Sequence, residues 1–378
     1  MLRRQRELDS ALELDRADPR LHDVLRLGAY QLRWLTRVPS HAAVSTSVEL
    51  ARETVGEGAT GYVNHTLRKL AGPGARDSGL GGAKQSHPEW LVQRWVSQFG
   101  RVETQRLTEW NDSRPILTLQ PARASVEMLR QQLGDAGIQA TDAPFGAGLE
   151  IRTAQPPGPR PQALPGFADG AFIVQDPAHA LVARFAAIPS GQLVYDACAA
   201  PGGKAVALAS RGARVLAGDA RHERLGRLTE TIRRAGVAIQ GFAANLEAAP
   251  LRAGSVDAVL VDAPCSATGT MRRHPDARWR LQPGIFPRAA SRQARLLDAA
   301  APLVKPGGTL IYATCSLEPE ENEEIVESFL SRHPDFTRSP RDHRAVPAEL
   351  LTAAGDFQSL PQRHGVDGAY AARLVRSR

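Results

Sequence analysis

The spacing of apolar positions along the chain passes from a helical period to short buried runs. Leu21, Val24, Leu25, Leu27, Gly28, Leu32 and Leu35 recur at helical spacing, and Pro39 follows as a stop. Further helices are expected from Ala42 to about Val55 and from Thr60 to Leu70, so residues 1–71 read as an all-α region. Residues 72–86 are glycine-rich and read as a flexible linker. His87-Pro-Glu-Trp-Leu-Val-Gln-Arg-Trp95 starts a helix with Pro88 in its first turn. Trp90 and Trp95 suit either a core or base stacking, with the core preferred at this spacing. Residues 87–152 are expected to form a small α+β module, with a strand–helix–strand unit built around Val126–Leu133. Pro156, Pro157, Pro159, Pro161 and Pro165 make residues 153–165 a second, semi-rigid linker.

From residue 166 to 378 the pattern changes again. Short apolar runs at Leu193–Asp196 and near 214–217, 240–243, 258–261 and 309–313 alternate with helical stretches. Such alternation implies an α/β domain with a doubly wound, mostly parallel sheet. Ligands in such sheets bind beyond the carboxyl ends of the strands, and the chemistry of this chain collects there. The first strand runs into Asp196-Ala-Cys-Ala-Ala-Pro-Gly-Gly-Lys204, and the second ends at Asp219. A third leads to Asn245, a fourth to Asp262-Ala-Pro-Cys265, and a fifth to Thr314-Cys-Ser316.

Gly202 and Gly203 let backbone approach a ligand, and the helix that follows offers free N–H groups. The turn lacks the G-x-G-x-x-G spacing, which disfavours a nicotinamide cofactor. Asp219 suits ribose hydroxyls or a helix N-cap, and Asn245 suits adenine or a turn. Lone cysteines are more often structural, but Cys265 and Cys315 each sit where a strand breaks into a loop. Residue chemistry alone does not divide the work between them.

Three segments, Asp196–Lys204, Asp262-Ala-Pro-Cys-Ser-Ala-Thr-Gly269 and Ala313-Thr-Cys-Ser316, resemble motifs of the Sun-family RNA cytosine-5 methyltransferases. The ensemble resembles most the bacterial branch that acts on small-subunit ribosomal RNA. The resemblance implies a Rossmann-like S-adenosylmethionine-dependent core, preceded by a short NusB-like helical region and a small substrate-binding module. The opening helices of the NusB-like region are expected to be missing or abbreviated. Cys198, Ala199, Ala200, Pro201, Gly202, Gly203 and Lys204 would cradle S-adenosylmethionine, with Asp219 at the ribose and Asn245 at the adenine. Asp262 would lie near its reactive end and beside the target base. Cys315 would attack C6 of cytosine, and Cys265 would assist release of the product.

Charge sharpens the expected partner. Forty-seven basic side chains against forty acidic ones give +7, which suits a polyanion. Between Arg272 and Arg295 seven arginines face one acid, Asp276, so Arg272, Arg273, Arg278 and Arg280, with His274, are expected to line an RNA-binding rim. A solvated helix face is the other reading. The acids Glu318, Glu320, Glu321, Glu323 and Glu324 are read as favouring a helix start. No run is long enough to cross a membrane, and three cysteines make no disulfide framework. The expectation is a cytoplasmic monomer that needs no metal and acts on RNA, ribosomal RNA first. The alternatives are a transfer RNA enzyme of the same chemistry and a catalytically silent RNA-binding factor of the same fold.

Overall fold

The computed structural model describes residues 1–72, 86–153, 158–340 and 345–378. Most of the first expected linker (residues 73–85) and part of the second (154–157) lie outside them. The chain divides into two units: Met1–Asp112 with Arg278–Arg280, and Ser113–Ala277 with Leu281–Arg378.

The first unit is all-α. Helices α1 (Gln5–Leu12), α2 (His22–Trp34), α3 (Ser40–Thr54) and α4 (Thr60–Leu70) bury Leu8, Leu25, Leu32, Ala43, Val63 and Leu67 in one core. None is long enough to persist alone in water, so this shared apolar face is what holds them. At Gly28 an added Cβ would lie 2.5 Å from a Leu67 methyl, which fixes glycine where α2 meets α4. Helix α1 precedes the first helix that the spacing predicts. Its two buried leucines, Leu8 and Leu12, give too short a periodic run to mark it by spacing.

Two more helices, α5 (Glu89–Phe99) and α6 (Arg101–Asp112), group with this unit. Trp95 is wholly buried and Trp90 half-buried. The same unit holds Arg278, which corrects its assignment to an RNA rim. Its guanidinium has no solvent exposure and donates to Asp112 Oδ1 at 2.8 Å, Ser86 O at 2.9 Å and Asn111 O at 3.0 Å. Trp279 Nε1 likewise donates to Leu2 O at 2.9 Å.

In the second unit a four-stranded antiparallel sheet comes first. Its order is β2 (Ala140–Asp142), β3 (Leu149–Ile151), β1 (Thr118–Pro121), β4 (Phe172–Val174). Helix α7 (Val126–Asp135) is capped by Ser125, which accepts Met128 N at 3.1 Å, and it buries Leu129 and Leu133. Leu119, Leu149 and Phe172 meet those leucines in one core. Strand β4 falls within residues 166–378, read as the α/β domain with the doubly wound sheet; it instead pairs Leu119 with Val174 and closes the smaller sheet. Three residues are too few for a period to declare their sheet. Leu164, in the expected proline-rich spacer, is buried in the same core.

Helix α8 (Pro177–Phe185) then leads into the main sheet, of order β10-β12-β9-β8-β5-β6-β7 with β11 beside β12. Strands β5 (Leu193–Asp196), β6 (Arg214–Asp219), β7 (Ile239–Ala243), β8 (Val256–Asp262) and β9 (Val304–Thr314) are parallel. Strands β10 (Phe336–Arg338), β11 (Phe357–Ser359) and β12 (Ala369–Arg376) add antiparallel pairings. Helices α9 (Gly203–Ala209), α10 (His222–Ala235), α12 (Ile285–Ala300) and α13 (Glu323–Arg332) complete the winding, and α11 (Ala277–Arg280) and α14 (Pro361–His364) are single turns.

Both faces of the sheet are covered. Ala258, Leu260, Ile311 and Ala313 join one apolar layer with α8 and α9, while Val259, Val261, Leu310 and Tyr312 join the other with α12 and α13. Burial on both sides explains why β8 and β9 read as unbroken apolar runs. Each such leucine or valine contributes about 1.5–3 kcal/mol. No helix among the described residues is long and apolar enough to cross a membrane.

Replacing Arg278 by leucine leaves Asp112 and two carbonyl oxygens without their donor. The expected cost is about 3 kcal/mol, read as a lower first midpoint in calorimetric unfolding. An unchanged midpoint would show that the guanidinium contributes nothing there.

Candidate active site

The parallel strands end on one side of the sheet, and the loops after β5, β6, β8 and β9 enclose a cavity of about 210 Å³. Cys198, Ala200, Asp219, Asn245, Asp262, Cys265 and Cys315 all line it. Residues 262 and 313 are register partners on β8 and β9, so the two cysteines just beyond them emerge side by side. Their sulfurs stand 3.3 Å apart as free thiols. The hydrogen bond to Cys315, and then burial, push the Cys265 thiol well above its ordinary pKa. That direction favours the protonated form of Cys265.

A buried carboxylate ties the two loops together. Glu321, with no solvent exposure, accepts Ser266 N at 2.9 Å, Ser316 Oγ at 2.8 Å and Gln293 Nε2 at 2.9 Å, and it also accepts Ser266 Oγ. Backbone stitches run alongside: Gly269 N donates to Cys315 O at 2.9 Å, and Leu317 N to Thr268 Oγ1 at 2.9 Å. An added Cβ on Gly269 would lie 2.8 Å from Cys315 O, so only glycine lets these strands approach. Helix-start charge, the reading given to this acidic run, fits Glu323 and Glu324 in the first turn of α13. It does not describe Glu321, which lies before that helix and faces inward.

The other end of the cavity is built on charge. Lys204 Nζ donates to Asp262 Oδ2 at 2.7 Å and lies 3.2 Å from His179 Nδ1. Burial opposes the Lys204 charge, but Asp262, then Cys315 and Asp196, outweigh it and raise the amine's pKa. Asp219 is buried and braces the turn, accepting Ala200 N at 3.2 Å and Arg221 N at 2.8 Å. Asn245 is exposed, and its Oδ1 accepts Glu247 N at 3.2 Å, a turn contact made while it lines the cavity.

Asp196 is 1% exposed, and among the described residues only the Cys198 backbone N–H approaches its carboxylate, short of a full hydrogen bond. Burial, and then the nearby Asp262, push its pKa up to about 7. An unpaired buried acid is costly unless a ligand supplies the missing partner. Gly202, at φ 109°, opens the turn above it and starts α9. A ligand carrying both a cationic amine and a ribose fits this set.

The expected RNA rim is corrected in part. Arg272 is buried and donates to Arg114 O. Arg273 pairs with Asp176 at 2.5 Å and Asp367 at 2.8 Å. Both guanidinium groups are spent on internal acceptors, whereas His274 and Arg280 are exposed. Arg292, one of the seven arginines between Arg272 and Arg295, lines the cavity, together with Arg221, Arg224 and His179, which were not singled out from the sequence.

Three family models match the chain: 16S rRNA methyltransferase RsmB/F over residues 185–375, the NusB family over 1–72, and the RsmF/B-like ferredoxin-like domain over 87–156. A probable ribosomal RNA small subunit methyltransferase B from Synechocystis sp. is 34% identical, covering 100% of this chain and 89% of its own length. Ribosomal RNA small subunit methyltransferase B from Salmonella typhi is 35% identical, covering 94% of this chain and 82% of its own. The crystal structure of PH0851 superposes with a TM-score of 0.82 at 26% identity, covering 99% of this chain and 87% of that one. NSun6 from Pyrococcus horikoshii, solved with SFG, superposes with a TM-score of 0.64 over 77% of this chain and 98% of its own, sharing the fold at 18% identity.

Glu321→Gln puts an amide donor where four donors converge and should shift the thiol loops by a fraction of an ångström. Methyl transfer is expected to fall about 100-fold with cofactor affinity within about twofold by calorimetry. Full activity would remove Glu321 from the site's support.

Asp196 predicts a pH effect. Its folded pKa near 7 lies above its ordinary 3.8, so it favours the folded state fully below about pH 4 and loses that contribution as pH rises through 7. Cofactor-free Asp196→Asn should therefore melt higher than the parent protein at about pH 8 and equally at about pH 4. Equal melting at both would show that Asp196 ionises normally.

Proposed function

The chain belongs to the RsmB/F family of 16S rRNA methyltransferases, and on that premise we propose that it methylates C5 of a cytosine in small-subunit ribosomal RNA through a covalent adduct. The observation that carries the cytosine-5 reading is the pair of free thiols 3.3 Å apart, beside the Lys204–Asp262 ion pair. A methyltransferase acting on an already nucleophilic atom needs no thiol; C5 of cytosine, which is poorly nucleophilic, does.

The cofactor is S-adenosylmethionine, which when bound supplies an electrophilic methyl group. Asp196 suits its amine, Asp219 its ribose, and the turn Cys198–Lys204 its close approach. The target base leaves its stack to enter the cavity. Cys315 Sγ, as thiolate, adds to C6 and drives electron density towards C5. Lys204 and Asp262 together offer hydrogen bonds to the N3 side of the ring, which favours that addition. C5 then accepts the methyl group and gives up its proton to a water molecule, and the electron pair of that C–H bond re-forms the C5–C6 double bond as the C6–S bond breaks to return Cys315 as thiolate. Cys265, held protonated, offers its S–H to the departing sulfur. Phosphate contacts fall to Arg221, Arg224 and Arg292, with His274 near the site. In this reading the protein acts as a cytoplasmic monomer.

The test is methyl transfer to small ribosomal subunits or their RNA, mapped by bisulfite sequencing. Cys315→Ser should abolish transfer, while Cys265→Ser should accumulate a denaturant-resistant protein–RNA adduct. Near-normal turnover by Cys315→Ser, or adducts formed only through Cys265, would reverse the assigned roles. Methylation confined to transfer RNA would move the substrate.

A further inference from the structure

Helix α8 brings one histidine to the cavity wall. Asp176 caps that helix by accepting Ala178 N at 2.9 Å, and it also accepts Asp367 N at 3.0 Å. Arg273 bridges Asp176 and Asp367, so the start of α8 is anchored on both sides. His179 follows within one turn and lines the cavity with Asp262, Cys265 and Cys315.

Its contact with Lys204 has only one chemical sense. An ammonium group has three N–H donors and no acceptor, so at 3.2 Å the Nδ1 atom of His179 must accept. The ring is then neutral, with its proton on Nε2. Lys204 in turn spends one donor on His179 and another on Asp262, at 2.7 Å. Its Nζ is thereby held between two acceptors.

We propose that His179 is a positioning residue that holds the Lys204 ammonium against Asp262, and that protonation of His179 switches the site off. This rests on the methyl-transfer reading for its consequence, though not for the contact itself. A protonated ring has no lone pair at Nδ1 and would point an N–H at the ammonium. Two cations about 3 Å apart repel strongly in a partly buried site, so Lys204 leaves and Asp262 loses its partner. The groups facing His179 are mostly cationic: Lys204 from α9, and Arg273 and His274 from the segment after β8. Asp176 is already paired with Arg273, and Asp262 reaches His179 only through Lys204. Burial, and then Lys204, Arg273 and His274, lower the His179 pKa well below its ordinary value. The neutral ring is therefore the resting state at neutral pH, and the switch acts on the acid side.

Two measurements test this. Nitrogen-15 NMR of the full chain should show His179 as the Nε2–H tautomer at neutral pH. In Lys204→Met its pKa should rise towards the ordinary histidine value, since a facing positive charge has gone. A pKa that does not move overturns the contact, whatever reaction the protein performs.

The second measurement is the pH dependence of methyl transfer. His179→Leu should lower kcat about tenfold or more, the usual scale of a mispositioned group, with S-adenosylmethionine affinity unchanged. His179→Gln, whose amide oxygen can accept the same Lys204 proton, should restore most of that rate and change the acid limb by removing the inflection that tracks the His179 NMR titration. An acid limb that persists unchanged in His179→Gln overturns the switch. If no RNA is methylated at all, the proposed function fails, while the NMR result still decides the contact.

Discussion

Taking a carboxylate out of water costs several kcal/mol, a cost offset only when its lone pairs meet donors. Glu321 meets four, two from Ser266 and one each from Ser316 and Gln293. Ser266 follows Cys265, and Ser316 follows Cys315, so the donors are the immediate neighbours of the two thiols. Neither loop can withdraw without stranding the acid, and so the spacing of the sulfurs is enforced from behind. Tyr312 OH donates to Glu321 O at 2.6 Å, and Thr314 Oγ1 to Asn322 Oδ1 at 2.6 Å, fixing the segment that carries the acid. The thiols face the cavity while their support lies wholly inside the protein. Reactivity and rigidity are thus assigned to adjacent residues.

Strand tips were legible in the sequence because two-sided burial leaves an unbroken apolar run, and the break in that run marks the tip. The residues at Asp196, Asp219, Asp262, Cys265 and Cys315 followed from that reading together with the motifs. What the sequence hid was the destination of charge. Arg273 and Arg278 look like a one-signed rim when only nearby positions are read. Their acids, Asp367, Asp176 and Asp112, lie 94, 97 and 166 positions away. Glu321 was hidden for the opposite reason, since four other acids surround it, Glu318 is as deeply buried, and what singles it out is the set of donors that converge on it. His179 stood with Arg184 as one of two polar residues in an otherwise apolar helix, a signal too common to weigh without its neighbours.

The acids at and beneath the cavity are met to different degrees. Asp262 has Lys204, and Asp219 is satisfied by two backbone N–H groups. Among the described residues Asp196 has no cation paired with it, only the Cys198 backbone N–H approaching its carboxylate. The resting protein therefore carries an unfavourable group under the turn where a cationic ligand is expected. On the proposed function, a cofactor amine placed at Asp196 would relieve that cost as it binds.

The two sulfurs are 50 positions apart in the chain and 3.3 Å apart in space. Strands β8 and β9 lie side by side, yet the whole of α12 intervenes between them. Closing a loop of that length costs entropy before any contact rewards it. The thiol pair therefore does not exist in a chain whose β8–α12–β9 crossover is incomplete, although both cysteines are already present. During synthesis each thiol is an ordinary isolated cysteine until the second strand docks. Chemistry that depends on the pair is thus withheld from the nascent and the partly unfolded chain.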